Sequence, residues 1–185
     1  MLPQTVPVTR ERTFLDEIDD ATYLALTGNP AVQLGFHGFR GRVAEVGMGY
    51  GNDLEMLSKL GANEVYGIEP MEEKVTSALR LRKLDRNHAI CARIEDIAKE
   101  YPSFFDGVAT FNSVVCEQAY SVRAMRSVLK RRGTILATFH TYGEFRVAER
   151  QFEREFSEVR GGRLNRDNPD WPFTPHRYAL IGEKR

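Results

Sequence analysis

The stretch between Arg42 and Asp53 constrains the fold of this 185-residue chain more than any other feature. Residues 43–46 have the character of a buried strand, glycines follow at alternate positions, and an amphipathic run comes directly after them. Glycine permits positive φ and lets the backbone approach a ligand without a Cβ in the way. A strand that passes through such a loop into a helix N-terminus commonly holds a nucleotide-like ligand. We therefore predict an α/β fold with its ligand at this loop.

The spacing of the three glycines separates two kinds of nucleotide-binding fold. The dinucleotide fingerprint has glycine at its first, third and sixth positions. Here Gly47, Gly49 and Gly51 occupy the first, third and fifth positions, and the sixth is Asn52. This spacing disfavours a nicotinamide-dependent oxidoreductase. The pattern that begins at Glu45 instead resembles motif I of the class I S-adenosylmethionine-dependent methyltransferases.

A second acidic position supports this resemblance. The predicted strand 64–68 ends in Glu69, 22 residues beyond Gly47. An acid there can accept hydrogen bonds from both hydroxyls of a ribose that lies over the glycine loop. The resemblance implies this role for Glu69, with Pro70 beside the adenine ring. It places Glu45 near the methionine amino group or makes it a buried anchor for the loop. Without ligand we expect Glu69 to add little stability, because the sequence offers it no partner.

The resemblance also shows one departure. After the third strand the family usually places an acid that accepts from the adenine amino group, and Arg93 occupies that position here. A guanidinium has no acceptor. Either Glu95 or Asp96 substitutes for the acid, or backbone groups near Ile94 bind the adenine. We include Ile94 and Asn112 among the candidate cofactor-binding residues.

The pattern of elements predicts a three-layer Rossmann-like fold. The resemblance covers residues 42–139, where the sequence predicts strands over 43–46, 64–68, 88–92, 107–111 and 134–139 and helices over 52–60, 71–84, 95–101 and 117–130. Such alternation favours a mostly parallel sheet with helices on both faces. Farther along we predict a helix over 145–152, a strand over 155–159, a turn at Gly161-Gly162, and a final strand over 177–181 that is antiparallel.

We interpret residues 1–185 as one methyltransferase-like domain. Residues 1–41 form an arm and a helix that could serve as a lid, residues 42–139 the cofactor-binding core, and residues 140–185 the rest of the sheet and the acceptor side. No apolar run approaches the roughly 20 residues of a membrane span, and no signal peptide is apparent, so we expect a cytoplasmic protein without a membrane partner. Cys91 and Cys116 are too isolated for a zinc site, and we expect both to be buried strand thiols.

Charge bears on the class of partner. The chain has 26 basic and 26 acidic residues. This balance argues against nucleic acid as a partner, although it leaves room for a local basic patch.

Methyl transfer from a sulfonium is a direct substitution, so the protein mainly supplies positioning, desolvation and, for a poor nucleophile, a base. Neither a metal nor a covalent enzyme intermediate is required. By sequence, Asn112, Glu117, His140 and Tyr142 follow the fourth and fifth strands, where such sheets bind ligands. His140 is the candidate base because histidine titrates near neutrality. The alternative is a strand-end histidine bonded to backbone.

The sequence thus predicts methyl transfer from S-adenosylmethionine to a small-molecule acceptor. Asn112 is followed by Ser113-Val114 and not by the Pro-Pro-aromatic step of many enzymes that methylate the amino groups of bases or glutamine. Two alternatives stay open at this point. One is a non-catalytic methyltransferase-like binding or scaffold subunit, and the other is a methyltransferase that acts on protein or RNA.

Overall fold

The computed structural model describes residues 36–81, 84–111, 118–164 and 177–185. Residues 1–35 of the predicted N-terminal arm and helix, and the candidate residues Asn112, Cys116 and Glu117, lie outside these ranges. In chain order the elements are β1 (Arg42–Val46), α1 (Leu54–Lys59), β2 (Glu64–Ile68), α2 (Glu72–Arg80), β3 (Ala89–Ile90), α3 (Ile94–Glu100), β4 (Phe105–Phe111), α4 (Ala119–Val128), β5 (Leu129–Phe139), α5 (Tyr142–Glu155), β6 (Glu158–Arg163) and β7 (Tyr178–Glu183).

The described strands form one seven-stranded sheet in the order β3-β2-β1-β4-β5-β7-β6. The strands from β3 to β5 pair in parallel, whereas β7 is antiparallel to both β5 and β6. This topology confirms the predicted mostly parallel sheet with an antiparallel C-terminal strand. The chain moves outward from β1 to β3 and then returns to place β4 on the other side of β1. Ligands of open α/β sheets bind at the carboxyl ends of the strands beside such a reversal.

Side chains from alternate strand positions pack against helices on both faces of the sheet. On one face, Ala44 and Val46 of β1 belong to a buried cluster that includes residues of α3, α4 and α5. On the other face, Val43 packs with Leu57 of α1 and with Phe39. Successive strand residues point to opposite faces, so β1 is apolar on both of its sides. The predicted three-layer arrangement is therefore confirmed.

A left-handed glycine ends α1. Gly61 has a φ of 101°, and its amide donates to the carbonyl of Ser58 at 3.0 Å. The amide of Ala62 donates to the carbonyl of Leu57 at 3.0 Å. These two bonds form a Schellman motif, in which a left-handed residue satisfies the last helical carbonyls. The helix itself is shorter than predicted, because it begins at Leu54 and not at Asn52.

The predictions around the third strand were too long. Helix α2 ends at Arg80 and not at Leu84, and β3 contains only Ala89 and Ile90 instead of 88–92. The side chain of His88, just before β3, contacts two carboxylates. Cys91 lies just after the strand and is exposed, so the predicted buried thiol is wrong at this position.

Strand β5 begins five residues earlier than predicted. The pairing of β4 with β5 joins Phe105 to Leu129 and then Gly107 to Thr134, so residues 130–133 form a bulge. The predicted helix over 117–130 and strand over 134–139 leave residues 131–133 as a turn, but α4 ends at Val128, β5 begins at Leu129, and the left-handed residue is Arg132, with a φ of 64°. Gly133 is needed for space, because a Cβ there would lie 2.9 Å from the carbonyl oxygen of Lys130.

The predicted turn at Gly161-Gly162 is also wrong, since both residues belong to β6 and pair with Leu180 and Ala179 of β7. A Cβ on Gly161 would lie 2.4 Å from Cδ2 of Leu180. This glycine therefore serves close packing within the sheet. Among the described helices, none combines the length and the apolar character needed to cross a bilayer.

Candidate active site

The glycine loop leaves the carboxyl end of β1 with three left-handed residues. The φ angles of Gly47, Gly49 and Gly51 are 76°, 56° and 73°. The amide of Gly47 donates to the carbonyl of Ile68 at 2.8 Å, and that of Gly51 donates to the carbonyl of Met48 at 2.8 Å. A Cβ on Gly49 would meet no protein atom within 4 Å. The loop is therefore tied down at both ends and open along its middle.

Met48, which the sequence analysis did not single out, packs the glycine loop against β2. The side chain of Met48 is buried against Gly67, where a Cβ would lie 2.0 Å from the Met48 sulfur and 2.7 Å from Cδ1 of Leu84. Gly67 sits inside β2, where a glycine usually indicates a close approach of other atoms. The glycine within the predicted strand was visible in the sequence. Its contact with Met48 was not, because Met48 belongs to the loop that follows β1.

Glu69 connects the glycine loop to the start of α2. The side chain is only 5% exposed. Oε2 accepts from the amide of Gly49 and Oε1 accepts from the amide of Met71, each at 3.1 Å. Because each carboxylate oxygen has two lone pairs, both retain an acceptor position for a ligand hydroxyl. The expectation that Glu69 has no partner without ligand was wrong.

A cavity of about 350 Å³ opens at the carboxyl ends of β1 and β2. This volume is within the range of small-molecule sites. Among the described residues, three of the predicted cofactor-binding residues line it, namely Gly47 from the loop, Pro70 after β2, and Ile94 at the start of α3. Glu45, Gly49, Gly51 and Glu69 are not among its lining residues. The structure therefore divides the described candidate residues into those that line the cavity and those that do not.

The structure distinguishes the two acids that could substitute at the Arg93 position. Glu95 lines the cavity and accepts from the hydroxyl of Ser121 on α4. Asp96 instead accepts from the Lys99 ammonium at 2.9 Å on the exposed side of α3. Arg93 also lines the cavity, as the residue that precedes α3. Of the two acids, Glu95 is the one placed to contact a ligand.

The far wall of the cavity comes from residues that the sequence analysis did not single out. Gln118, Tyr120 and Ser121 line it from the start of α4. The hydroxyl of Tyr120 donates to Oε1 of Gln118, and 60% of the Tyr120 side chain is exposed. Their position in the sequence could have indicated them, because the helix that follows β4 begins at the carboxyl edge of the sheet.

Glu45 occupies the centre of the sheet. It lies in register with Gly67 of β2 and Ala109 of β4 and is 1% exposed. By strand alternation its side chain is on the same face as Val43, towards α1. Its two expected roles, contact with the methionine amino group and anchoring of the loop, stay predictions.

The candidate acceptor residues lie farther along the same edge. His140 is exposed and directly follows β5, and Thr141 caps α5 through a reciprocal pair of bonds with Glu144. The ring of Tyr142 is 59% exposed and stacks on Phe145 at a centroid distance of 6.1 Å. His140 does not line the cavity of the glycine loop.

A family model described as "Methyltransferase domain" matches residues 44–137, from β1 through most of β5. The chain belongs to this methyltransferase family. The predicted resemblance to the class I S-adenosylmethionine-dependent methyltransferases is thereby confirmed, and the protein is an enzyme of that family. No curated protein matches the sequence.

Solved structures share the fold at low sequence identity. A tRNA (m1A58) methyltransferase from Aquifex aeolicus has a TM-score of 0.65 and 20% identity, covering 94% of this methyltransferase and 77% of its own chain. A spermidine synthase from Thermotoga maritima has a TM-score of 0.62 and 17% identity, and the match covers 89% of this methyltransferase and 59% of the synthase chain. An O-methyltransferase from Thermotoga maritima has a TM-score of 0.60 and 17% identity, and the match covers 94% of this methyltransferase and 71% of the other chain. This methyltransferase thus spans 59% of the spermidine synthase chain.

Proposed function

We propose that this methyltransferase transfers a methyl group from S-adenosylmethionine to a small-molecule acceptor bound at the carboxyl edge of the sheet. The observation that carries the proposal is the cavity between Gly47, Pro70 and the 92–95 segment, with Glu69 buried beside it. The cavity joins a left-handed glycine loop, an acid at a strand end, and apolar side chains suited to the faces of a planar ring. These features match what a nucleoside-containing ligand requires.

The residues present fit the cofactor that the family implies. The open backbone at Gly49 leaves room for close approach, and Glu69 retains acceptor positions for ribose hydroxyls. Pro70 and Ile94 would contact the adenine ring. When bound, S-adenosylmethionine supplies a methyl group on a positively charged sulfur, which is already activated for substitution. In this proposal Gly47, Gly49 and Gly51 shape the binding loop, Glu45 anchors it from within the sheet, and Asn112 remains a candidate contact outside the described residues.

Glu95 provides the acceptor that Arg93 cannot provide. Its carboxylate lies in the cavity and already accepts from the hydroxyl of Ser121. That bond fixes the carboxylate while leaving acceptor capacity for an exocyclic amino group. We assign adenine recognition to Glu95, with Arg93 free to contact the polar rim.

On the acceptor side, His140 is the proposed base. An exposed imidazole at the end of β5 can accept a proton from an acceptor group that enters along the carboxyl edge. The capping bonds of Thr141 with Glu144 fix the backbone of the residue that follows it.

A small-molecule acceptor is supported by the charge balance of the chain, which has 26 basic and 26 acidic residues. A polyanionic acceptor such as RNA would favour an excess of basic residues.

The direct test is methyl transfer from labelled S-adenosylmethionine to fractions of cell extract. We expect label in the small-molecule fraction, and loss of that label with the Glu69→Ala protein. Label that disappears after nuclease or protease treatment would instead assign RNA or protein as the acceptor.

For His140, the His140→Asn variant should lower turnover much more than cofactor affinity, and its pH–rate profile should lose the lower limb. The pH–rate profile is measured once an acceptor is identified, and isothermal titration measures the affinity for the cofactor. Unchanged turnover across the pH range would return His140 to a structural role at the strand end.

A further inference from the structure

A second cavity lies at the opposite edge of the sheet from the glycine loop. It has a volume of about 370 Å³ and lies between the segment before β1, the start of β4 and the bulge of β5. Its basic residues are His37, Arg40, Lys130, Arg131 and Arg132, and we call it the basic cavity. Strand β4 has seven residues, so the two edges are roughly 20 Å apart. A small acceptor at the cofactor site does not reach this cavity.

The basic cavity has an excess of positive charge, although the chain as a whole has no net charge. Among the described residues that line it, Asp106 is the one acid. Asp106 accepts from the Lys130 ammonium at 2.7 Å and from the Arg42 amide at 2.9 Å. Burial alone would raise the pKa of Asp106, but these two donors outweigh it and hold the pKa below its ordinary value. Asp106 is therefore ionised at neutral pH and neutralises one cation, Lys130.

Three arginines of the basic cavity keep their charge available. Arg40, Arg131 and Arg132 are exposed, and within the described ranges none of them forms an ion pair with a carboxylate. Guanidinium groups bind phosphate oxygens through paired N–H donors and are weakly hydrated compared with an ammonium. Three unneutralised guanidinium groups around one concave surface therefore favour a ligand with several negative charges.

The backbone holds two of these arginines in a fixed bulge. Arg132 has a φ of 64°, a conformation that is strained for any residue with a Cβ and relaxed for glycine. The amide of Arg132 donates to the carbonyl of Lys184 at 2.6 Å, and the amide of Lys184 donates to the carbonyl of Gly133 at 3.0 Å. The Lys184 ammonium donates to the carbonyls of Ser127 and Leu129 under the bulge. Bulges redirect side chains, and backbone strain tends to occur at functional sites.

We propose that the basic cavity is a phosphate-binding site, in which Arg40, Arg131 and Arg132 hold the oxygens of a phosphorylated ligand. The shared chemistry is a multiply charged phosphate group, carried either by a free phosphorylated small molecule or by the backbone of RNA. This site is separate from the methyl-transfer edge, and the inference does not depend on which acceptor is methylated.

The test measures binding of inorganic pyrophosphate at low salt by isothermal titration calorimetry. Wild-type protein should bind, and the affinity should fall as salt rises, since phosphate contacts by Lys and Arg depend on ionic strength. The double variant R131Q/R132G should lower the affinity by at least roughly tenfold, because it removes two of the three free guanidinium groups. Glycine at position 132 also relieves the left-handed strain, so this variant should melt no earlier than wild type.

Two further variants keep the result interpretable. Arg160→Gln removes an exposed arginine on β6 that does not line the basic cavity, and it should leave pyrophosphate affinity unchanged. Arg40→Gln removes a guanidinium outside the bulge and should weaken binding on its own. S-adenosylhomocysteine affinity should be unchanged in all of them, which separates this site from the proposed methyl-transfer site.

A parallel titration with a short single-stranded RNA oligonucleotide identifies the source of the phosphate. RNA bound more tightly than pyrophosphate, and weakened by R131Q/R132G, would assign the RNA backbone. Binding of pyrophosphate alone would assign a free phosphorylated molecule. The proposal is overturned if wild-type protein binds neither probe, if R131Q/R132G binds both as well as wild type, or if Arg160→Gln weakens binding as much as the double variant.

Discussion

The Glu69 carboxylate is held between two backbone amides, from Gly49 in the glycine loop and from Met71 before α2. In the proposed function the same two oxygens accept the ribose hydroxyls. One side chain therefore fixes the shape of the binding loop and also contacts the ligand. The two roles have separate measurable consequences, one in the free protein and one in the complex.

For Glu69→Ala we expect both consequences. Cofactor affinity should fall by at least roughly tenfold, or about 1.4 kcal/mol, because two charged acceptors are lost. The free energy of unfolding of the free protein should also fall, by about 1–3 kcal/mol, because the amides of Gly49 and Met71 lose their acceptor in a buried setting. Calorimetry with S-adenosylhomocysteine and urea denaturation without ligand measure the two effects.

Glu69→Asp is the matched control, since it keeps the charge but shortens the side chain by one methylene. Its affinity should lie between those of wild type and Glu69→Ala. Intact affinity together with a large loss of stability in Glu69→Ala would show that Glu69 is only a structural acid.

Two glycines near the loop should respond to alanine for different reasons. At Gly67 a Cβ would lie 2.0 Å from the Met48 sulfur, so Gly67→Ala should destabilise the protein by about 1–3 kcal/mol through overpacking. At Gly49 a Cβ would meet no atom within 4 Å, so Gly49→Ala should cost about 1–2 kcal/mol from its positive φ alone.

Adding Met48→Ala separates these two mechanisms in urea denaturation. Met48→Ala has a cost of its own, but the loss of the double variant with Gly67→Ala should be smaller than the sum of the two single losses, whereas the losses of Met48→Ala and Gly49→Ala should add. Equal behaviour of the two double variants would contradict the steric assignment at Gly67.

At the scale of elements, His88 joins the turn before β3 to the start of β2. Nε2 contacts Oε1 of Glu64 at 3.0 Å, and Nδ1 contacts Oδ1 of Asp85 at 2.7 Å. The bond to Glu64 raises the pKa of His88 against the opposing effect of burial, and Asp85 raises it further. Glu64 also contacts Arg42 at 3.2 Å and the hydroxyl of Tyr66, whose pKa is raised to about 12 by burial and by that bond.

This network makes stability depend on pH in a defined direction. The raised pKa of His88 contributes stability that is complete below the ordinary histidine value of 6.5 and is lost as pH rises through the raised folded value. Bonds from His88 lower the pKa values of Glu64 and Asp85, whose contribution is present above the ordinary values of 4.5 and 3.8 and is lost as pH falls through the lowered folded values. Stabilisation by this network is therefore greatest between these limits.

His88→Gln should lower the melting temperature most in that interval, and the difference from wild type should shrink as pH rises above 6.5. Thermal denaturation across a pH series measures this difference. Asp85→Asn, which removes the charge of one partner and keeps the imidazole and its bond to Glu64, should give a smaller difference of the same form. A pH-independent difference in His88→Gln would show that packing of the ring, and not its charge, stabilises the turn.

The elements that sequence predicted well are those marked by local signals. Strand β2 was placed at its observed bounds and β1 within one residue, because each is an apolar run that ends at a glycine loop or at a polar residue. The early start of β5 and the extent of β6 depend instead on pairing with residues far along the chain. Gly161 is an example, since its fit depends on Leu180 of β7.

In the candidate site, too, local sequence predicted some residues, and packing between distant elements determined the others. Gly47, Pro70 and Ile94 face one cavity as the motif order implied, because each follows a parallel strand at the same edge. Tyr120 and Ser121 come from the start of a helix whose orientation depends on how α3 and α4 pack together. No local pattern in the sequence records that packing.

For the whole molecule, the sheet separates two edges with different surface chemistry. The carboxyl edge holds a cavity with one charged residue of each sign, and the amino edge holds the basic cavity. Strand β7 lies between β5 and β6, so the last described residues of the chain complete the sheet that both edges share. Ligands at the two edges contact different residues, and we expect their effects on stability to be additive.

Ligand-dependent melting tests the cofactor assignment on the intact protein. A ligand that binds only the folded state raises the free energy of unfolding by about 2.7 kcal/mol at a concentration a hundredfold above its Kd. S-adenosylhomocysteine should therefore raise the melting temperature strongly, whereas NAD at the same concentration should raise it little, since Asn52 replaces the third glycine of the dinucleotide fingerprint. At the same concentration of S-adenosylhomocysteine, Glu69→Ala should lose at least about half of this stabilisation, since a tenfold weaker affinity leaves about 1.4 kcal/mol, and R131Q/R132G should retain it. A larger increase with NAD would contradict the cofactor assignment, because the loop would then bind a dinucleotide despite its glycine spacing.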